Sequence, residues 1–448
     1  MEKRDCPTLM VVAPASGQGK TTVTAALARL YARQGLRVSV FKCGPDFLDP
    51  HWHTLASGRA VHNLDLWLNG EDDIRARLYE AAGNSDLILI EGVMGLFDGE
   101  PSAADLACQF GIPVLPVIDA SSMAGTFGAL AYGLRHYRPG LPWAGVLANR
   151  VGSEGHAQML KASMHKDAPV GATDLDAGWL GALHRDANFS LPERHLGLTV
   201  ASELPDALER LDALADALAQ TTLGQLDAQA WQRWSVSFEA PQAINIEPWL
   251  SGHTIAVARD ASFCFIYAAN LDLLRAMGAN LVYFSPIADE PVPACDAVWL
   301  PGGYPELHAL ALAQSQQCRP SLAAHIHAGK PVWAECGGMM PLFDGLTQND
   351  GVRFEMWGIL PGEVRMQKRL AALGPQSWTT EQGQLRGHTF HHSLTESPLT
   401  PIAQTQRGSA YGKTEAIYGQ GSVRASYFHA WFASHPKAAA SLFLTESV

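Results

Sequence analysis

TLMVVAPASGQGKTT, residues 8–22, decides the fold of the first half of this chain. An apolar run, Thr8 to Val12, breaks into a Gly-rich turn, and the turn opens a segment in which Val23, Ala26, Leu27, Leu30 and Tyr31 fall at i, i+3, i+4, i+7 and i+8. That spacing lays one apolar stripe along a helix, and Gly35 is its stop signal. Strand, small-residue loop and helix, in this order, are the parts of a phosphate cradle: backbone N–H groups that curl round an anion, a helix N-terminus aimed at it, a Lys for the outer phosphates and a hydroxyl for Mg²⁺. Ser16, Gly17, Gln18, Gly19, Lys20, Thr21 and Thr22 are the expected nucleotide-binding residues, although Pro14 stands where the GxxxxGK[ST] pattern has its first Gly.

Outward from the loop the rhythm repeats in RVSVFK, in DLILIEG followed by Ala103 to Phe110, in PVLPVID followed by Met123 to His136, and in WAGVLANRV and WLGALH. Apolar runs alternating with amphipathic stretches predict a parallel sheet covered by helices. Residues 205–252 change character, with an Ala/Leu-rich helix and then a polar stretch holding Trp231, Trp234, Pro241 and Pro248 and no strand period, so the seam falls there. From His253 the rhythm restarts in TIAVARD, the helical Tyr267 to Met277, NLVYFSP, DAVWLPGG, the helical Pro305 to His327 and PVWAECGG, before a more β-rich tail. The expected fold is α/β with two domains, residues 1–204 and 253–448, joined by a helical segment and linker at 205–252. Each domain is an open, mainly parallel sheet with helices on both faces. A chain of 448 residues exceeds what one core usually serves.

The formal net charge of -12, without any basic stripe, makes nucleic acid and anionic membrane poor partners. No segment holds eighteen uninterrupted apolar residues and the start lacks a secretion signal, so neither membrane spanning nor export is expected. Seven cysteines without a CxxC pair argue against a zinc site and a disulfide framework, and fit a reducing cytoplasm.

Ligands of open parallel sheets gather at the carboxyl ends of the strands, and Mg²⁺ takes oxygen ligands. Asp46 and Asp49 follow the strand RVSVFK; Glu91, where a Walker-B acid would stand, and Asp98 follow DLILI. The bland alternative is that Asp46 and Asp49 cap a turn beside Pro50 and that Asp98-Gly99 is a plain turn. In the second half, KPVWAECGGMM (330–340) reads as strand, sharp turn and helix with the Cys336 thiol at the turn, the geometry of a nucleophile elbow. The N–H of Gly337 can face a developing oxyanion, the helix N-terminus favours the thiolate, and Gly302 and Gly303 can supply a second donor. A Cys nucleophile needs a base, and His429, at the end of a strand near the C-terminus, is the candidate ahead of His435, His391 and His392.

GQGKTT, FKCGPDFLDP, IEGVMGLFDG, LPGGYPELH, AECGGMM, RMQKRLAALG and RGHTFHHS together resemble the cobyrinate a,c-diamide synthase family, nearly end to end. The resemblance implies a dethiobiotin-synthetase-like ATPase domain fused to a class I glutamine amidotransferase domain. It also implies a carbon-nitrogen ligase that amidates the a- and c-acetate carboxylates of cobyrinate in cobalamin biosynthesis, through acyl phosphates, consuming ATP, Mg²⁺ and glutamine. Carried over, Lys20 holds phosphates; Thr21, Asp49 and Glu91 are Mg²⁺ ligands; Asp46 and Asp98 position substrate or metal; Cys336 forms the glutamyl thioester and His429 moves its proton. A homodimer is compatible with this plan.

Two positions depart from the family, which reads RGHEFHYS and ends in Tyr-x-His-x-His: Thr389 replaces the Glu and Trp431 the second His. The same chemistry on hydrogenobyrinate or nickel-sirohydrochlorin is the nearest alternative. The alternative of another class is a non-catalytic P-loop switch of the partitioning type beside an inactive amidotransferase-like module. Against it stand Ala15, where those regulators carry a second Lys, and the intact Cys336 elbow.

Overall fold

The computed structural model describes residues 2–164, 173–175, 177–186, 193–194, 197–198, 204–242, 245–409 and 412–445. The chain divides into two compact units, residues 1–66 with 70–242, and residues 67–69 with 243–448.

In the first unit β1 (Lys3–Val12), β2 (Val38–Cys43), β3 (His62–Leu64), β4 (Leu87–Glu91), β5 (Val114–Asp119), β6 (Val146–Val151) and β7 (Trp179–His184) form a sheet in the order β3-β2-β4-β1-β5-β6-β7. All neighbouring pairs along this order are parallel. Such strands are buried on both faces, which is why they read as continuous apolar runs rather than alternating ones. Two separate apolar clusters, one on each face, follow from it: Ile74, Ile90, Ile118 and Phe127 in one, Val23, Leu27, Leu89 and Leu211 in the other.

Helix α1 (Lys20–Arg33) packs its Val23, Leu27, Leu30 and Tyr31 stripe inward as the spacing requires. Helix α2 (Leu48–Ser57) begins where the bland alternative had a turn beside Pro50. Pro is tolerated there because the first helical N–H groups have no partner inside the helix anyway, and Asp46 Oδ1 accepts the Leu48 N–H at 2.9 Å.

The polar stretch after the Ala/Leu-rich helix Ala207–Leu218 does contain a strand, Ser235–Glu239. It pairs antiparallel with the first half of β1, from Lys3↔Glu239 to Pro7↔Ser235. Its burial alternates, with Val236 and Phe238 inward, a two-residue signal too brief to separate from loop by sequence.

The second unit is built on a seven-stranded sheet whose five strands Asn280–Phe284, Thr254–Ala258, Ala297–Leu300, Val332–Glu335 and Val423–Ser426 are parallel neighbours in that order. Two antiparallel strands extend it, and two four-stranded sheets form the β-rich tail. The single helix expected from Pro305 to His327 is broken into a 3₁₀ turn Pro305–His308 and helices Ala309–Ala313 and Cys318–His327. The Asp289 carboxylate causes the restart by accepting the N–H groups of Gln316, Gln317 and Cys318, the donors that a new helix leaves unpaired.

Candidate active sites

β1 ends at Val12 and α1 begins at Lys20, so the loop between them lies at the carboxyl edge of the first sheet, beside β4 and β5. Gly19 sits at φ +98°, and a Cβ there would collide with the Asn149 amide. That amide donates to the Gln18 carbonyl at 2.9 Å, while Gln18 Oε1 accepts the Asp119 N–H at 2.8 Å, tying the loop to the ends of β5 and β6. Lys20 is buried and donates to the carbonyls of Met94 (2.7 Å) and Ala15 (3.3 Å); desolvation lowers its pKa.

Glu91, wholly buried at the end of β4, is the centre of the cluster. Its Oε1 accepts from Thr21 Oγ1 at 2.7 Å and lies 3.1 Å from Lys42 Nζ; its Oε2 meets His53 Nε2 at 2.5 Å. Lys42 Nζ also contacts Asp49 Oδ2 at 2.5 Å and lies 3.9 Å from Asp46 Oδ2. Burial alone would push the Glu91 carboxyl up, but Lys42, His53 and Thr21 outweigh it and hold it at about 2. Burial and the Glu91 charge push Asp49 well above the usual carboxylate range, and the surrounding carboxylates outweigh burial to raise Lys42.

A cavity of about 680 Å³ opens over these groups. It is lined by Ser16, Gly17, Gly19, Lys20, Thr21, Thr22, Lys42, Asp46, Asp49 and Glu91, with Asp119, Asn149, Arg150 and Asp186 further along. Asp98 is not among its lining residues: its Oδ2 accepts the Gly95 N–H at 2.8 Å in a turn. Gln18 likewise serves the loop from behind. Among the described residues no cluster of three His, Cys, Asp or Glu has the arrangement of a closed metal cage. Mg²⁺ in phosphate sites takes one or two carboxylates together with phosphate oxygens, and Thr21, Asp49 and Glu91, all oxygen donors at the cavity floor, fit that donor set.

In the second unit Cys336 follows the buried strand Val332–Glu335 with φ +46°, a left-handed conformation that costs a non-Gly residue about 1–3 kcal/mol. The turn is held because nothing larger than glycine fits around it. A Cβ on Gly337 would lie 2.6 Å from the Gly303 carbonyl oxygen, and one on Gly302 would lie 2.5 Å from His429 Cε1. Gly337 thus packs on Gly303 and Gly302 on the His429 ring, and the Gly337 N–H faces the Cys336 sulfur. After Cys336 the chain forms a 3₁₀ stretch, Cys336–Leu342, with Pro341 inside it, where an α-helix was expected. A strong helix terminus is therefore missing, and burial drives the Cys336 thiol pKa upward.

His429 is stacked on Phe265 with ring centroids 3.9 Å apart, has His388 at 5.0 Å, and points Nδ1 at Glu335 Oε2, 3.9 Å away. Its rivals have other work: His391 Nε2 faces Glu415 at 3.1 Å, and His435 caps the Ala438 N–H.

Residues 9–198 match the CobQ/CobB/MinD/ParA nucleotide binding domain and residues 254–437 the CobB/CobQ-like glutamine amidotransferase domain. A protein of Stutzerimonas stutzeri named hydrogenobyrinate a,c-diamide synthase is 56% identical over 442 residues, covering 99% of each chain. The chain belongs to the a,c-diamide synthase family. A Pseudomonas aeruginosa member with the hydrogenobyrinate name is 53% identical over 99% of this chain and 98% of its own. A Herminiimonas arsenicoxydans member named cobyrinate a,c-diamide synthase is 48% identical over 98% and 97%.

In this a,c-diamide synthase two residues that contact Glu91 escaped the sequence reading. Lys42 is a lone cation closing an apolar strand run, and His53 lies in the first helix after it; only the end of an apolar strand bearing Lys marked the former, and nothing marked the latter. The departures from the family pattern are explained by packing. Thr389 Oγ1 donates to Glu415 Oε1 at 2.8 Å, so a carboxylate reaches that spot from elsewhere, and Trp431 is buried with its ring 5.0 Å from Tyr267.

Burial raises the Cys336 pKa, and burial with the His388 and His391 charges lowers that of His429, so thiol and imidazole are both neutral at pH 7. Iodoacetamide labelling of Cys336, followed by mass spectrometry, is expected to rise about tenfold per pH unit from pH 7 to 9, because the thiolate is the reacting form. A rate already flat below pH 7 would instead reveal a thiolate–imidazolium pair.

Proposed function

We propose that this chain uses ATP and glutamine to amidate two acetate carboxylates of hydrogenobyrinate, the substrate named in its relatives at 56% and 53% identity, with cobyrinate as the second reading from the relative at 48%. The single observation that carries the proposal is that one chain holds both halves of the chemistry: a phosphate loop over an acidic, lysine-centred cavity, and a left-handed Cys turn walled by Gly303, whose neighbour Gly302 packs on the His429 ring.

In this reading Lys20, Thr22 and the loop N–H groups seat the triphosphate, and Thr21, Asp49 and Glu91 would hold Mg²⁺, which when bound neutralises charge on the transferring phosphoryl oxygens. A substrate carboxylate attacks the terminal phosphorus to give an acyl phosphate and ADP; ammonia then displaces phosphate and leaves the amide. Asp46, half-exposed at the cavity with Lys42 behind it, faces the incoming substrate. Cys336 attacks the glutamine side-chain amide, Gly337 with Gly302 and Gly303 steadies the oxyanion, and His429 carries the thiol proton to the departing ammonia. The seven free thiols agree with a cytoplasmic setting.

The test is to incubate the protein with ATP, Mg²⁺ and glutamine against hydrogenobyrinate, cobyrinate and nickel-sirohydrochlorin, and to read product masses. Two amidations of hydrogenobyrinate are expected. Amidation of nickel-sirohydrochlorin alone would overturn the corrinoid assignment, and nucleotide binding with neither glutamate release nor amidation would favour the switch.

A further inference from the structure

We infer that Glu335, the residue before the nucleophile, is the positioning residue of His429: its carboxylate holds the Nδ1 edge of the ring and leaves Nε2 to take the thiol proton. The inference rests on the glutaminase reading of Cys336 and His429. A catalytic base is in turn oriented by a third group at its other ring nitrogen, and position 431, where the family pattern has its second His, holds a buried Trp.

The carboxyl is built into place. Glu335 ends the strand Val332–Glu335 and is 2% exposed. Its Oε1 accepts the Trp333 Nε1–H at 2.6 Å, the Ala430 N–H also donates to it, and its Oε2 lies 3.9 Å from His429 Nδ1. The ring cannot turn away, because Phe265 covers one face at 3.9 Å and a glycine, Gly302, closes on Cε1. Among the described residues neither ring nitrogen of His429 has a hydrogen-bond partner, and such catalytic bonds commonly tighten only when substrate closes the site. Among the described residues no other carboxylate lies within salt-bridge distance of either nitrogen.

The chemistry follows from the tautomer. An ionised Glu335 favours the proton on Nδ1, so Nε2 carries the lone pair that accepts the Cys336 proton as the sulfur–carbon bond forms. The imidazolium then has its counter-ion beside it, and Nε2 returns the proton to nitrogen as the carbon–nitrogen bond breaks. Water hydrolyses the thioester and releases glutamate. The other titratable groups around this pair are Cys336, Glu306 and Glu415 near the thiol, and His388 and His391 on the strand Gly383–His391. Burial pushes Glu335 up to about 8, so the base becomes competent as pH rises through that value.

The experiment measures glutamate release by Glu335→Gln across pH 6–10, beside ammonium-dependent amidation and melting temperature. The expected result is a kcat for glutamine lower by about 10²–10⁴-fold with KM little changed, loss of the ionisation near 8, and retained ammonium-dependent activity. Glu335→Asp, which keeps the charge, restores part of the kcat. Wild-type glutaminase in Glu335→Gln, or equal loss of both nitrogen sources, overturns the inference. If Glu335→Gln folds poorly, Trp333→Phe frees Oε1 and is expected to lower kcat while keeping the ionisation; an unchanged kcat there also counts against it. Should Cys336→Ala still release glutamate, the glutaminase reading itself fails, and that result is distinguishable from failure of Glu335 alone.

Discussion

Cys336→Ala is expected to lose glutamine-dependent amidation by about 10⁴-fold or more while amidation driven by added ammonium persists. The substitution removes only the sulfur, which makes a long contact of 3.7 Å to the Phe390 carbonyl and faces the Gly337 N–H. Ala carries the same Cβ as Cys, so the left-handed turn at φ +46° is neither relieved nor worsened, and the neighbouring glycines keep their places. Loss of the nucleophile therefore acts on the ammonia source and not on the fold. Parallel initial rates with glutamine and with ammonium decide it. Failure of ammonium to rescue would mean that Cys336 has a role beyond glutamine hydrolysis.

Glu91→Gln has the opposite signature. Amidation from either nitrogen source is expected to fall by about 10³-fold or more, since in the proposed reaction the acid beneath the phosphate loop would stabilise phosphoryl transfer whichever nitrogen follows. Gln keeps the shape of Glu and can still meet Thr21 and His53, but it leaves Lys42 facing Asp49 and the more distant Asp46 alone. Removing one partner of a buried ion pair costs about 3–5 kcal/mol, so a lower melting temperature accompanies the loss. Glutamate release, measured in the same preparation, reports whether the second site still works. Wild-type amidation by this variant would remove Glu91 from the reaction.

The two substitutions together separate the halves of the chemistry, and they rest on different kinds of legibility. GQGKTT and AECGGMM were legible as a strand-loop-helix and as a left-handed turn after a strand, because such features are local: glycine, lysine, hydroxyl and thiol must be close in sequence for the backbone to present them. Asp98 illustrates the limit of that logic. A carboxylate in an acidic, strand-end segment looked wholly available, yet its Oδ2 accepts the Gly95 N–H of its own turn. Asp46 combines both readings, capping α2 through Oδ1 while its other oxygen faces the cavity cluster.

The sequence by itself determined two α/β units, the strand-loop-helix around Lys20, the Cys336 turn and the family, because apolar periodicity and glycine placement are written along the chain. Only the tertiary structure decided which distant groups surround those loops. Lys42 and His53 meet Glu91, from 49 and 38 positions away, because β2 and β4 are adjacent in the sheet. Glu335 meets His429 because the chain returns beside its strand after more than ninety residues. The 3₁₀ path after Cys336, and the buried neutral thiol that goes with it, were equally beyond the letters. Propensity and pattern are short-range properties, whereas burial and charge pairing depend on which strands the fold makes neighbours.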